Sequence, residues 1–442
     1  MIIYLISYAL CFCFARLGCF IPSGLVLIAG AVWLYWKDYR ASGNLIHLRG
    51  LFCLFFAGGQ GISCFKLSRL QEPWSLMTWA CFLAAVIFFY LAFSLTSRWL
   101  GEPRQPHWMK KQARGSREIL PRERHSRLRL YKKPLFYSMG IVTAVSSIAF
   151  LAEALVLGYV PFFLRGVPHA YSYFHISGVH YFTVSCVLEP SLAVLYYMAG
   201  EERCRIRRGA AVVFTVICLA NPILCVSRFQ LIFAVGMAVF TFIAVNHRIR
   251  LYQAALLVCV MIPAYVILTV ARSHDVEYLN GIFEMKNSAM PIFITQPYMY
   301  IANNYDNFDC LVRELPAHSM GLRMLFPLWA LTGLKFLVPS LVNFPIYVNK
   351  EELTTLTLLY DAYYDFGILG VVLLCAVLGA VCAFLVRQLP QMRNPVGYVI
   401  YAQIAMYMTL SFFTTWFSNP TTWFYLGVTI LIYLFCRCRQ GL

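Results

Sequence analysis

Residues 74–96 read WSLMTWACFLAAVIFFYLAFSLT, a run of 23 residues without one charged side chain. A helix needs about 20 mostly apolar residues to cross the hydrocarbon core of a bilayer. Every backbone amide and carbonyl in that core has to be bonded within the segment, because lipid offers no hydrogen-bond partner. The run therefore predicts a membrane-spanning helix, and it sets the fold class that we expect for the whole chain.

Apolar windows of this kind recur along the 442 residues. They predict an all-α, polytopic integral membrane protein with about twelve transmembrane helices, which we treat as a single membrane domain over residues 1–442. The twelve windows are 2–20, 22–36, 50–65, 74–96, 135–158, 177–199, 209–227, 229–246, 251–271, 366–386, 397–416 and 422–436.

The composition excludes a soluble or disordered chain. Hydrophobic residues make up 60% and charged residues only 12%, with a mean hydropathy of +0.67. Soluble domains average about 25% charged residues, so this chain lacks the charge to cover a water-facing surface. The net charge of +17 would point to nucleic acid in a soluble protein. In a membrane protein it reports topology instead, and we predict no nucleic-acid partner.

The basic residues indicate which loops face the cytoplasm. Segment 97–134 holds twelve Lys or Arg against three Glu, so the positive-inside rule makes it a basic cytoplasmic loop. Alternation of the spans then places both termini in the cytoplasm and makes 272–365 one long external loop. That loop carries ten acidic and six basic residues. Lys66 and Arg69, on the external side, are mild exceptions to the rule.

One apolar stretch inside the external loop tests this topology. Residues 320–342 contain Arg323, Pro327, Lys335 and Pro339. If the stretch crossed the membrane once, the basic residues after position 386 would all lie outside. We therefore expect re-entrant or interfacial helices here, a backbone arrangement that is tolerated where protein or a wet cavity surrounds it.

Two arginines lie at predicted external ends of spans, Arg228 in a tight junction and Arg272 at the end of the ninth span. A guanidinium fork matches phosphate or pyrophosphate bidentately and cannot lose its proton. The alternative is an arginine that snorkels to the membrane interface. Two arginines at one depth beside an acidic loop favour a phosphate clamp.

Titratable side chains cluster in the loop before the sixth span. His169, His175 and His180 fall within twelve residues, interleaved with Tyr and Phe. A histidine can act as a base near neutral pH, but these three also suit hydrogen bonding in an interfacial aromatic belt. Glu153 lies near the outer end of the fifth span, where a carboxylate faces a cavity or pairs with a base. Pairing with Arg165 or Arg228 is the structural alternative.

Residues 302–309, ANNYDNFD, alternate amides, carboxylates and rings in the external loop. Such side chains bond sugar hydroxyls and stack on the apolar faces of sugars, although they are also common in turns and helix caps. We predict Asn303, Asn304 and Tyr305 as sugar contacts. Asp365, at the external entry of the tenth span, joins them, with a helix N-terminal charge effect as its alternative reading.

The order of these features resembles that of the bacterial oligosaccharide repeat-unit polymerases, the Wzy-type O-antigen and capsule polymerases. The resemblance spans about residues 50–385. Its matching parts are the first-half motif around QEPWS (61–79), the stretch 153–162 ending in GYVPF, the Ser-Arg pair at 227–228, YIANNYDN (300–307) and the glycine-containing YDFG stretch (364–370). The long basic loop 97–134 departs from the pattern of that family.

The resemblance implies a metal-independent membrane glycosyltransferase of the bacterial inner membrane, with its active face in the periplasm and no cofactor. Such enzymes transfer a growing glycan from undecaprenyl pyrophosphate to the terminal sugar of another lipid-linked unit. A chain-length regulator protein is a possible partner. Arg228 and Arg272 would neutralise the pyrophosphate leaving group. The candidate bases for the acceptor hydroxyl, in falling order, are His169, His175, Glu153 and Asp306.

Two other classes of function remain open at this point. A glycan ligase shares the long external loop and the arginine clamp. A flippase of the same lipid-linked oligosaccharide would need a charged path at mid-membrane. The charged residues of this chain instead gather at one external face, which favours chemistry at the membrane surface.

The topology is tested by a reporter fused after residue 345, within the external loop. We expect a periplasmic readout, because residues 320–342 are predicted not to cross the membrane. A fusion after residue 130, in the basic loop, is the matched control and should report the cytoplasm. A cytoplasmic readout at residue 345 would mean that 320–342 crosses and that the predicted topology is wrong.

Overall fold

The computed structural model of the chain describes residues 1–101, 128–164, 170–200, 204–246, 259 and 276–438. Within these ranges the secondary structure is helical, with one isolated bridge between Ser68 and Met285 and no strand. Seven helices there are long and apolar enough to cross a membrane. These are Phe20–Ser42, Leu76–Leu100, Lys132–Leu157, Val179–Met198, Arg205–Leu224, Arg228–Asn246 and Tyr360–Gln391. They confirm the prediction of an all-helical chain and indicate a membrane protein.

The remaining predicted spans have other forms. The first is the shorter helix Ile2–Arg16, and the window 251–271 lies outside the described residues. The third is divided by a π-helical turn, Cys53–Ala57, between Leu48–Phe52 and Gly58–Ser63. The last two correspond to Val396–Thr409 and Pro420–Cys438. A total of twelve spans therefore stays a prediction.

The non-spanning helices are mostly short. Ile292–Glu314 is the long exception among the described residues, and it lies in the predicted external loop. The others are Pro161–Phe163, Ala170–Tyr173, Val276–Phe283, Phe326–Leu331, Leu334–Leu337, Pro339–Leu341 and Trp416–Ser418.

The chain divides into two compact units, and neither is continuous in sequence. One unit contains residues 1–102, 275–387 and 407–423. The other contains residues 103–274, 388–406 and 424–442. The helices of a unit therefore come together from distant parts of the chain.

The first unit is built on close helix contact and an aromatic core. A Cβ placed on Gly24 would lie 2.3 Å from the carbonyl oxygen of Gly61, so these backbones approach as only small residues allow. Phe56, Phe82 and Tyr305 pack edge to face or tilted at 5.4–6.0 Å between ring centroids. The Tyr305 hydroxyl donates to the Phe56 carbonyl at 2.6 Å, which satisfies the polar end of a fully buried ring.

The second unit packs the helices of Lys132–Leu157, Arg205–Leu224 and Arg228–Asn246 around Val179–Met198. The central segment is the most buried of the seven candidate spans, with 72% of its apolar window inside the protein. A segment so enclosed meets protein on most of its surface rather than lipid. Its interruptions and polar residues are therefore tolerated.

Residues 320–342 contain no helix long enough to cross a membrane. They form the short helices Phe326–Leu331 and Leu334–Leu337 and a 3₁₀ turn, and they expose Phe336 and Leu337 by 64% and 79%. Exposed large apolar side chains on short external helices are typical of an element that lies at a membrane surface. That residues 320–342 do not cross the membrane stays a prediction.

Candidate functional site

Asp306 is the centre of a buried polar cluster in the first unit. It lies in the helix Ile292–Glu314 and is 2% exposed. One carboxylate oxygen accepts the Lys66 ammonium and the Trp74 indole N–H, the latter at 2.7 Å. The other oxygen accepts the Gln71 amide at 2.6 Å. Three donors thus fill an acceptor that would be costly to bury alone.

The segment that carries these donors is held in an unusual conformation. Lys66 has φ +50°, in the left-handed region that disfavours side chains, and its ammonium lies 4.2 Å from the centre of the Trp74 ring. The Tyr298 hydroxyl donates to Gln71 at 2.6 Å and accepts the Leu67 N–H at 2.9 Å. Burial raises the pKa of the Tyr298 phenol well above its ordinary value, so it stays a donor.

The Lys66–Asp306 ion pair also bears on topology. Lys66 counts against the positive-inside rule if it lies outside, yet its counter-charge comes from the predicted external loop. Two residues that form a buried ion pair belong on the same side of the membrane. The pair therefore places both segments on one side of the membrane, and their external position stays a prediction.

The predicted sugar contacts on this helix are occupied within the protein. The amide nitrogen of Asn303 donates to the Leu353 carbonyl at 3.1 Å, and that of Asn304 donates to the Phe412 carbonyl at 2.8 Å. Tyr305 bonds the Phe56 carbonyl, and all three predicted contacts are at most 1% exposed. In this structure these side chains hold loops onto the helix, and their contact with a sugar stays a prediction.

In the second unit, Glu153 accepts hydrogen bonds from the loop residue Ile176 and from the helix Val179–Val184. The carboxylate is fully buried and accepts the Ile176 N–H at 2.9 Å and the Thr183 hydroxyl at 2.7 Å. His180 Nδ1 lies 3.1 Å from both oxygens. Among the described residues, the basic partner of Glu153 is thus His180, where sequence analysis offered Arg165 or Arg228; Arg165 lies outside those residues.

This contact fixes the tautomer of His180. Because a carboxylate only accepts, Nδ1 carries the hydrogen, and in the neutral ring Nε2 has a free lone pair. The His180 side chain is 29% exposed, whereas the Glu153 side chain is 0% exposed. The histidine is therefore the member of the pair that faces solvent. A buried carboxylate behind a partly exposed imidazole is the arrangement that orients a general base.

Of the other predicted catalytic residues, His175 lies beside His180. His175 is exposed, with its ring centroid 6.3 Å from that of His180 and its Nδ1 3.1 Å from the Ser172 carbonyl. His169 lies outside the described residues. Asp306 belongs to the first unit and is already paired with Lys66.

Arg228 begins the helix Arg228–Asn246 and is 7% exposed, so it is a buried arginine rather than a snorkelling one. Phe162 and Tyr171 of the external loop pack against Val226 and Leu231, on either side of it. The loop that precedes His175 therefore covers the turn that presents Arg228. The second arginine of the predicted clamp, Arg272, lies outside the described residues.

Asp365 organises a turn of the external loop. It is fully buried and accepts the Ser319 hydroxyl, the Arg323 N–H at 3.1 Å and the Met324 N–H at 2.8 Å. The helix that carries Asp365 is kinked at Gly367, whose φ is +57°. The carboxylate thus closes a backbone turn, and its predicted contact with a sugar stays a prediction.

That turn presents an arginine that the predicted site does not include. Arg323 Nε donates to the Asp361 carboxylate at 2.6 Å, and its guanidinium carbon lies 4.6 Å from the centre of the Tyr364 ring. Among the described residues its two Nη groups make no hydrogen bond, and its side chain is 13% exposed. The sequence contains a signal that could have identified Arg323, because this arginine interrupts the apolar stretch 320–342.

Neither similarity to a known protein nor a metal-binding arrangement identifies the function of the site. A scan of protein-family models, a search of curated proteins and a search of solved structures each found no match. Within the described ranges, no group of three or more His, Cys, Asp or Glu is arranged to hold a metal ion. The assignment of function therefore depends on the residues and contacts themselves.

The buried ion pair makes a testable prediction for stability. Asp306→Asn keeps an acceptor oxygen but leaves the Lys66 ammonium buried without a counter-charge. We expect it to lower the free energy of unfolding by about 3–5 kcal/mol. The measurement is denaturant or thermal unfolding of the purified protein.

Glu72→Gln is the matched control for this variant. It breaks a pair with Arg313 in which the side chains are 65% and 40% exposed, and it should cost less than about 1 kcal/mol. Adding Lys66→Met to Asp306→Asn should restore part of the loss, because the unpaired charge is removed. Equal losses in Asp306→Asn and Glu72→Gln would contradict the assigned role of the ion pair.

Proposed function

We propose that the protein polymerises lipid-linked oligosaccharide repeat units in the synthesis of O-antigen, capsule or exopolysaccharide. The growing glycan would be transferred from undecaprenyl pyrophosphate to the terminal sugar of another lipid-linked unit. The enzyme would span the bacterial inner membrane about twelve times, with both termini in the cytoplasm and the active face in the periplasm. The ordered motifs and the positive-inside topology support this proposal.

The observation that carries the proposal is the Glu153–His180 pair at the external end of the second unit. Glycosyl transfer to a hydroxyl group needs a base within reach of the acceptor proton. His180 Nε2 offers the lone pair, and Glu153 holds the ring in that tautomer and would stabilise the imidazolium that forms. The sequence nominated Glu153 as a base, and its burial favours an orienting role instead.

The leaving group needs positive charge. A pyrophosphate that departs from the sugar gains negative charge in the transition state, which a preorganised guanidinium stabilises. Arg228 is buried next to the loop that leads to His175, and it remains the first candidate with Arg272.

Ligase and flippase functions are separated from the polymerase by the glycans that accumulate in a deletion strain. Collapse of the surface ladder to one repeat unit supports the polymerase. Loss of all surface glycan with lipid-linked polymer accumulating supports a ligase. Single lipid-linked units retained on the inner leaflet support a flippase.

The proposed base is tested in that strain by complementation. We expect His180→Ala to slow chain lengthening by about 10²–10⁴-fold while single repeat units still reach the surface. His175→Ala should cost much less, because no carboxylate orients that ring. Chain length is read on gels, with the amount of membrane protein measured in parallel. Wild-type lengthening by a well-expressed His180→Ala variant would contradict the assignment.

The proposed arginine clamp is tested with variants of Arg228 that change the shape of the side chain separately from its charge. Arg228→Lys keeps the positive charge but loses the bidentate fork, and Arg228→Ala loses both. We expect both variants, and Arg272→Ala, to stop lengthening after one repeat unit. Arg313→Gln, a change at an exposed external arginine, is the control and should retain lengthening. Normal ladders from Arg228→Ala and Arg272→Ala would rule out the clamp.

A further inference from the structure

The segment Val179–Met198 is interrupted near its middle. A 3₁₀ turn, Ser185–Leu188, joins its two α-helical parts. Pro190 has no N–H, so it cannot bond the Cys186 carbonyl as an α-helix requires. The Glu189 N–H donates to that carbonyl instead, which makes the turn tighter. Proline thus sets the break, and the break positions the Glu189 side chain.

Glu189 lies at the eleventh of the 20 residues in this candidate span and is 0% exposed. Its Oε1 is 3.1 Å from the Thr215 hydroxyl oxygen, and its Oε2 has no hydrogen-bond partner among the described residues. No Lys, Arg or His in the described part of the chain lies within 4 Å of the carboxyl group. An ionised carboxylate in this position would be poorly satisfied.

Thr215 places a hydroxyl oxygen where it can accept a hydrogen bond from a protonated Glu189. Its hydroxyl oxygen lies 3.1 Å from Glu189 Oε1 and 3.0 Å from the Ala211 carbonyl, but it has only one hydrogen to donate. If that hydrogen bonds the carbonyl, the hydroxyl oxygen accepts from a protonated Glu189. The carboxylic acid, the hydroxyl and the Ala211 carbonyl then form one continuous hydrogen-bonded chain, and Glu189 Oε2 is left as a neutral carbonyl oxygen rather than as part of a charged carboxylate.

Among the described residues, the elements packed around Glu189 bring no Lys, Arg or His side chain into a salt bridge with it. The ionisable groups that interact electrostatically with Glu189 are the Cys186 and Cys218 thiols and the Tyr197 phenol. The three packed helices carry their charged residues at their ends, whereas residues 138–152, 209–224 and 229–246 contain no Lys, Arg, His, Asp or Glu. The charged residues at the ends are Lys132, Lys133, Glu153, Arg205, Arg207, Arg208 and Arg228. The ligand that suits this place is therefore one that removes charge from the carboxylate.

A metal cation does not fit the same place. Hard cations take six or more oxygen ligands, whereas the carboxyl group here has one hydroxyl oxygen within hydrogen-bond distance. A proton needs only the carboxylate and an acceptor for the resulting O–H. The donor set at the break thus matches a proton.

We propose that Glu189 is a proton-binding site at the break of the segment Val179–Met198. In the resting protein the carboxyl group holds a proton and donates it in a hydrogen bond to Thr215. Release of that proton to water leaves a carboxylate that nothing at the break stabilises. The occupancy of the site therefore links pH to the packing of the most enclosed segment of the second unit, independently of any glycosyl transfer.

Infrared spectroscopy of the full-length protein in lipid nanodiscs tests the protonation. At neutral pH we expect the carbonyl band of a protonated carboxylic acid, shifted downwards in D₂O. Glu189→Gln should abolish this band. Glu153→Gln, a change at a buried carboxylate with three donors, should leave it. Absence of the band in the wild type, or its persistence in Glu189→Gln, would overturn the proposal.

A second variant keeps the test valid if Glu189→Gln does not fold. Thr215→Val removes the hydroxyl with little change of shape and leaves the acid in place. The band should remain and move to higher frequency, because the acid has lost its hydrogen bond. A band that does not move would contradict the assigned chain.

Thermal unfolding gives an independent readout of the link to pH. Where the folded protein holds a proton that the unfolded chain has released, stability falls as pH rises. The melting temperature of the wild type should therefore fall relative to that of Glu189→Gln as pH is raised. A difference that does not change with pH would mean that the site holds no titrating proton.

Discussion

A carboxylate that leaves water must find donors inside the protein, and this requirement organises both units. The Asp306 carboxylate accepts hydrogen bonds from an ammonium, an indole and an amide. Asp365 collects a hydroxyl and two backbone N–H groups, and Glu153 collects an N–H, a hydroxyl and an imidazole. In each case the acceptor comes from a helix and a loop supplies donors, although two of the Glu153 donors, His180 and Thr183, lie in the helix Val179–Val184. The carboxylates thus fix irregular external segments onto regular elements, which apolar packing alone does not specify.

Glu189 is the buried acid that does not follow this arrangement. It has one hydroxyl oxygen nearby and an unpartnered Oε2 among the described residues. The contrast with Glu153, in the same unit, shows that burial alone does not decide the charge state of a carboxyl group. The number and kind of neighbouring donors decide it, and these come from residues far apart in sequence.

The sequence predicted much of the fold because the bilayer imposes a simple rule on length and polarity. Seven candidate spans lie close to their predicted windows, such as Leu76–Leu100 for residues 74–96. The prediction fails to give the internal form of 50–65 and 177–199, since a π-turn and a 3₁₀ turn interrupt helices without changing their apolar composition. Hydropathy indicates whether a segment prefers lipid or water. It does not indicate which backbone N–H bonds which carbonyl, and this pairing decides whether a turn is α, 3₁₀ or π.

The candidate site was predictable in its residue types but not in its pairings. Glu153 and the nearby histidines were recognised, yet the five-residue spacing from His175 gave no reason to choose His180. That choice follows from the fold, which brings Ile176 of the loop and His180 and Thr183 of the helix Val179–Val184 to one carboxylate. Likewise, the amides and carboxylates of 302–309 pointed to sugar hydroxyls, but several of them bond the protein's own backbone. Sequence shows hydrogen-bonding capacity, and only the fold shows how that capacity is used.

The Lys66–Asp306 contact joins residues that are 240 positions apart in sequence. At about 5–20 residues per second, roughly 12–48 s separate the synthesis of the lysine from that of its partner. During that interval a cation beside a newly inserted helix has no counter-charge and must stay at the wet membrane surface. The first unit therefore cannot close around residue 66 until most of the chain has left the ribosome. During biogenesis, the early helices of the first unit must therefore stay unpacked around Lys66 until the helix that carries Asp306 has been synthesised.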